Sequence, residues 1–239
     1  MKTIESQEVS LVIGIDGCKQ GFMIARLKDL NLTFSIEGEL TSILHEKELI
    51  LIDVPLGCPN SLDEIRPEPM IRPYLKKRAS SVFNVPALQC FASNQYDEVN
   101  RINKLILNKG LSRQSFGIMP IIRKVNDFII DHPLLNIHES HPELIFTWMK
   151  GDICTYSKHT DEGIQERVEI LIGKLPLAKN SLTEALLSYS KSYHQDIVDS
   201  CALVVCAYLI NEKGYKIIPE HPQRNSQGIE MKIMIFNNS

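Results

Sequence analysis

Residues 11–27 read LVIGIDGCKQGFMIARL, and this stretch decides how the rest of the chain is understood. An apolar run stops at Asp16, the chain turns within a few residues, and a second apolar run begins. Two short strands rich in branched side chains around turn-forming GCKQ make a hairpin, and LTFSIEGEL after KDLN adds a third antiparallel strand. Asp16 closes the first strand. Beside Gly17 it has a plain structural reading as a turn residue and a chemical one as a ligand at a strand end.

Working outward, TSILHEK (41–47) has room for a short helix. ELILIDVP (48–55) is nearly continuous in apolar character, as expected of a strand buried on both faces. Residues 56–95 carry Pro59, Pro67, Pro69, Pro73 and Pro86, which predicts an irregular insertion holding the basic cluster Arg72, Lys76, Lys77 and Arg78. QYDEVNRINKLIL and SFGIMPIIRKVNDFII have helical apolar spacing, with Pro120 expected to bend the second. PLLNIHES returns to strand character, and Pro142 suits the first turn of a helix over PELIFTWMK. DEGIQERVEILIGKL is amphipathic, with Ile164, Val168, Leu171 and Ile172 on one side. DIVDSCALVVCAYLI is apolar almost all round and reads as a buried helix. YKIIP and EMKIMIF supply short strands near the C-terminus. Strands first and helices interleaved give an α/β layer structure.

The 239 residues suit one domain with a substantial core, and 44% hydrophobic with 23% charged residues is ordinary for a globular chain. A formal charge of −3 gives no global attraction to nucleic acid, so a polyanion would be held by a local basic patch or by metal ions. MKTIESQEVS has no apolar signal segment, and CALVVCAYLI is about half a membrane span, so a cytoplasmic location is expected. The six cysteines form no C-x-x-C pair, which favours reduced thiols over zinc or disulfides.

The acids carry the chemistry. Asp16 closes the first strand, Asp53 closes LILID, Glu139 closes LNIHE, and Asp196 and Asp199 lie one helical turn apart at the start of the buried helix. Singly, each has a bland role: a turn for Asp16 and Asp53, a helix cap for Asp196. As a set they would repel unless a cation or proton joined them. Hard oxygen donors without a Cys or His cluster select Mg2+ or Mn2+. Two such ions about 3.5–4 Å apart could activate a water against a phosphodiester.

Seven ordered motifs, GIDGCKQG (14–21), LIDVPLG (51–57), RASSVFNVP (78–86), SRQSFGI (112–118), ESHPELIF (139–146), SKHTDEGIQER (157–167) and DIVDSCA (196–202), resemble the domain of unknown function 429 family. Its members are predicted nucleases with a ribonuclease H-like fold. The resemblance implies a single domain over 1–239 with an insertion at about 56–95: a mixed sheet with antiparallel first three strands and helices on both faces. It further implies catalytic Asp16, Asp53, Glu139 and Asp199, with Asp16, Glu139 and Asp199 as candidate metal ligands. Phe22 and Ser200 depart from the family's usual Trp and Ala.

Arg78, Ser80, Ser81, His141, Lys158 and Arg167 are the candidate substrate contacts, because guanidinium forks, ammonium groups and hydroxyls match phosphate oxygens. For the cations the alternative is a solvated surface, and for His141 and Glu143 a helix-start loop. Gln114 and Lys124 also fall in or near these motifs, and Trp148 reads as core. The expected function is a metal-dependent nuclease. The alternatives are an ATPase or phosphotransferase of the actin-like branch, for which Cys18 stands where a phosphate loop would want a hydroxyl, or a non-catalytic nucleic-acid-binding protein.

Overall fold

The computed structural model describes residues 11–44 and 48–238. Its strands are β1 (Val12–Cys18), β2 (Gly21–Lys28), β3 (Asn31–Glu37), β4 (Leu49–Asp53), β5 (Ile137–Glu139), β6 (Tyr215–Ile218) and β7 (Ile233–Phe236). Its α-helices are α1 (Glu68–Leu75), α2 (Tyr96–Leu107), α3 (Arg113–Gly117), α4 (Met119–Asp131), α5 (Pro142–Lys150), α6 (Asp161–Lys174), α7 (Ala178–Ser188) and α8 (His194–Lys213).

The main sheet has the order β3-β2-β1-β4-β5. The first three strands are antiparallel neighbours, and β4 and β5 run parallel to β1. This mixed sheet agrees with a ribonuclease H-like fold. Alternation along β1 and β4 separates two cores. Val12, Leu49 and Leu51 pack with Ala25, Leu27 and the inner surfaces of α5 to α8. Ile13, Ile15, Ile50 and Ile52 pack with Phe22, Ile24 and, from α4, Ile122 and Val125. Helices therefore cover both faces, as the resemblance implied. The hairpin of β6 and β7 seats its buried β7 beside β5, where Ser140 Oγ donates to the Met234 carbonyl at 2.8 Å.

Several local expectations are corrected. Asp16 does not begin the reversal: β1 continues to Cys18, and the turn is Lys19–Gln20 between the paired Cys18 and Gly21. Thr41–Ile43 of the expected 41–47 helix form a short 3-10 turn, and residues 45–47, like the N-terminal 1–10, lie outside the described residues. Pro120 does not bend one helix but sits in the first turn of α4, with α3 ending at Gly117, because a missing N–H costs nothing where no helical acceptor precedes it. The proline-rich segment is partly regular: α1 is followed by 3-10 turns at Lys76–Ser81 and Leu88–Ala92. Helix α7 was not anticipated. Asp196 caps nothing, since α8 starts at His194 and places it inside the first turn.

Candidate active site

Two strand ends and one helix build the centre. Asp16 of β1 and Asp53 of β4 are direct partners in the parallel register, so they point to the same face from strands about 4.8 Å apart. That face is covered by α8. Gly14, two residues before Asp16 and on the same face, lets the helix lie against the sheet: a Cβ there would meet the Ser200 carbonyl oxygen at 2.2 Å and the Val204 nitrogen at 2.7 Å. The close approach brings Asp199 to the strand ends, with Asp196 and Gln195 one turn earlier on the same helix.

These acids are withdrawn from water and crowd one another. Asp16 is 8% exposed and Asp199 is 2% exposed. Burial, then Asp53, Asp199 and Asp196, push the Asp16 carboxyl well above its usual range, with Lys158 pulling the other way. Burial and Asp199 raise Asp53 to about 7, and the same two causes raise Asp196 to about 6. Lys158 Nζ donates to Asp199 Oδ2 at 3.0 Å. The other oxygen, Asp199 Oδ1, is buried with no hydrogen-bond partner. Asp199 above all, then Asp16 and Asp53, raise the Lys158 pKa, so the ammonium stays charged.

Lys158 is held by its surroundings. It precedes α6, whose Thr160 side chain caps the Gly163 amide at 3.1 Å. Gly163 has no Cβ because Ser157 lies on the helix there: a Cβ would meet the Ser157 carbonyl oxygen at 1.7 Å. Arg78 donates to the Cys154, Thr155 and Tyr156 carbonyls, which ties the same loop to the proline-rich segment.

The centre opens into a cleft of about 1030 Å³. Besides the four aspartates its walls include Lys77, Arg78, Ser80, Ser81, His141 and Lys158. Three further polar atoms are buried without partners: Ser81 Oγ, Arg78 Nε and Gln195 Nε2. The predicted Arg78, Ser80, Ser81, His141 and Lys158 are thus gathered in one place. His141 Nδ1 accepts the Leu144 amide at 3.3 Å and caps α5, and burial with Lys158 lowers its pKa, so the neutral ring serves the fold.

Two predicted residues are bound into the fold, although Glu139 also reaches the cleft wall. Glu139 pairs with Ile52 in the register, so it faces away from Asp53, toward the core under α4. Its oxygens accept from Arg66 Nη2 at 2.8 and 3.0 Å, and one also accepts from the Leu56 amide at 2.8 Å. Burial nevertheless raises its pKa to about 7 against these donors. Arg66 also donates to Glu68 and to the Leu56 and Gly57 carbonyls. Glu139, expected as a metal ligand, has its oxygens engaged by these donors and anchors the proline-rich segment to β5. Arg167 is fully buried, donates to Glu143 and the Gly163 carbonyl, and does not line the cleft. It is a buried residue of α6, paired with Glu143. Of the other motif residues, Gln114 lines the cleft, whereas Lys124 pairs with Glu39 at 2.7 Å. Trp148 packs edge-on against Tyr74.

The family profile described as "Protein of unknown function (DUF429)" matches residues 14–224, a span containing every acid of the centre. The chain belongs to the DUF429 family. No curated protein and no solved structure matches it. Within the DUF429 match, sequence reading missed Arg66 and Gln195, and it took Lys158 only for a phosphate contact. Gln195 had a visible signal, four residues before Asp199 on one helical face; Arg66, among prolines, had none.

A metal fits this centre in charge and donor type, on the ground that a buried carboxylate oxygen of Asp199 has no partner and that repulsion among Asp16, Asp53 and Asp199 favours a proton or a cation there. Among the described residues no three His, Cys, Asp or Glu side chains close into a ready-made metal cage. Mg2+ does not ask for one, since it is usually bound through one or two carboxylates and keeps several waters.

Proposed function

We propose that this DUF429 chain is a metal-dependent phosphodiester hydrolase, a nuclease using Mg2+ or Mn2+ held by Asp16 and Asp199. The observation that carries the reading is the buried, unpartnered Asp199 Oδ1, in one cleft with the paired Asp16 and Asp53 and close enough for its charge to act on both. Such an ion would supply activation of water and neutralisation of charge at phosphorus. Asp53, paired with Asp16 in the register and on the cleft wall, is placed to take a proton from an attacking water. Lys77, Ser80 and Ser81 on the wall offer a cation and hydroxyls to phosphate oxygens, which a chain of net charge −3 needs in order to hold a polyanion locally.

Nucleic acid is the proposed substrate class. The proposed location is the cytoplasm: all six cysteines are unpaired, and no described helix is long and apolar enough to cross a membrane.

The test is Mn2+-dependent cleavage of single- and double-stranded DNA and RNA by wild type, Asp16→Asn and Asp199→Asn, with nucleoside triphosphate hydrolysis assayed alongside. Each variant is expected to lose about 100-fold or more of the cleavage rate, the scale of removing one transition-state charge contact. Full activity in either folded variant sinks the proposal. Triphosphate hydrolysis without cleavage redirects it to phosphotransfer.

A further inference from the structure

We infer that the centre takes a single divalent cation and that the Lys158 ammonium fills the place of a second. The inference rests on the metal-dependent reading above and concerns how many ions that reading involves. Two ions about 3.5–4 Å apart need carboxylates to divide between them. Here Asp199 gives Oδ2 to Lys158 at 3.0 Å and keeps only the buried, unpartnered Oδ1 for an ion. Glu139, a further acid on the cleft wall that a second ion would call on, has its oxygens held by Arg66 and the Leu56 amide. Asp16 and Asp53 remain, side by side, with Asp196 and the single unpartnered oxygen of Asp199 in the same cleft, while Glu143 on its wall is held by Arg167.

Lys158 is built into this position. Its backbone is pinned by the contact of Ser157 with Gly163, and its loop by the donation of Arg78 and Arg167 to the Tyr156 carbonyl. A second metal ion at Asp199 Oδ2 would meet an ammonium charge that the scaffold holds in place. Fixed there, the ammonium offsets carboxylate charge as an ion would, without a coordination shell of its own.

The experiment counts ions. Purified full-length chain is stripped with EDTA and titrated with Mn2+ by calorimetry, with electron paramagnetic resonance of the saturated sample. Wild type is expected to bind one Mn2+ per chain with the six-line spectrum of an isolated ion. Lys158→Met, similar in length but uncharged, frees Asp199 Oδ2 and is expected to bind two, with an exchange-coupled spectrum. Lys158→Arg retains the charge and is expected to bind one. Two coupled ions in wild type overturn the inference while leaving the nuclease reading intact, and Lys158→Met saturating at one ion overturns the role given to Lys158. No Mn2+ binding by folded wild type overturns both. If Lys158→Met does not fold, shown by circular dichroism, the counts for wild type and Lys158→Arg decide.

Discussion

Gly14→Ala tests whether the approach of α8 to β1 makes the site. The added methyl would lie 2.2 Å from the Ser200 carbonyl oxygen, 2.7 Å from the Val204 nitrogen and 2.8 Å from Leu203 Cβ. The first two are backbone atoms, so no rotamer change relieves them. Ordinary contact requires α8 to retreat by about 1 Å. Two effects oppose each other. Replacing Gly by Ala restricts the unfolded chain and stabilises by about 0.4–1 kcal/mol where the native backbone allows it. Overpacking of a tight core costs about 1–3 kcal/mol. The clash wins, for a net loss of about 1–2 kcal/mol, or roughly 5 °C in melting temperature for a domain of this size. The functional cost is larger. Asp199 precedes Ser200, so a helix displaced by 1 Å carries the carboxylate away from Asp16, and a misplacement of that size costs about 100-fold in rate. Thermal melting, Mn2+ titration and the cleavage assay on Gly14→Ala measure all three effects. A variant melting within about 1 °C of wild type with unchanged Mn2+ affinity refutes the argument, because α8 would then not be held by that contact.

Stability without metal should fall as pH rises from about 5 through 7. Asp53, Asp196 and Asp16 have folded-state pKa values above the ordinary carboxylate range, so the folded chain keeps protons that the unfolded chain has lost. Added Mn2+ should reverse the trend above pH 7, where protons no longer compete for the carboxylates, and melting in EDTA and in Mn2+ across pH 5–8.5 reads both limbs. Asp53→Asn should stabilise the metal-free chain at pH 8 by about 2 kcal/mol. That is roughly half of what a rise to about 7 converts to at 1.36 kcal/mol per unit, since Asp53 is only partly buried; an unchanged melting temperature refutes the repulsion. Arg66→Met should cost about 3–5 kcal/mol by stranding Glu68 and Glu139, while Glu139→Gln should leave Mn2+ affinity within about two-fold of wild type. Loss of Mn2+ binding in a folded Glu139→Gln chain would return that acid to the ligand set.

Much of the fold was legible because its signals are local. The three opening strands, the buried run of β4, the amphipathic α6 and the all-apolar α8 were each written in the spacing of apolar residues. Asp16, Asp53 and Asp199 were found by one rule, that an acid at the end of an apolar element has no bland reason to be there in company. Glu139 also ends a strand, but its register with Ile52 and its bond to Arg66 depend on residues far away in the chain. Pro120 was read as a bend and proved to be a helix start, since the residues near a proline do not reveal whether a helix precedes it. Burial of Arg167, a candidate substrate contact by its motif, has no local sign because its partner Glu143 lies 24 positions away.

Sequence by itself determined which segments are strands and helices, which acids close them, and which family the chain resembles, because those properties depend on neighbours along the chain. The tertiary structure alone decided which acids meet. Registers between β1, β4 and β5 put Asp16 and Asp53 on one face and Glu139 on the other, Gly14 let α8 bring Asp199 to the first pair, and the loop before α6 carried Lys158 to Asp199. A one-residue change of register reverses the face of every side chain in a strand, and register is set by packing between segments far apart in the chain.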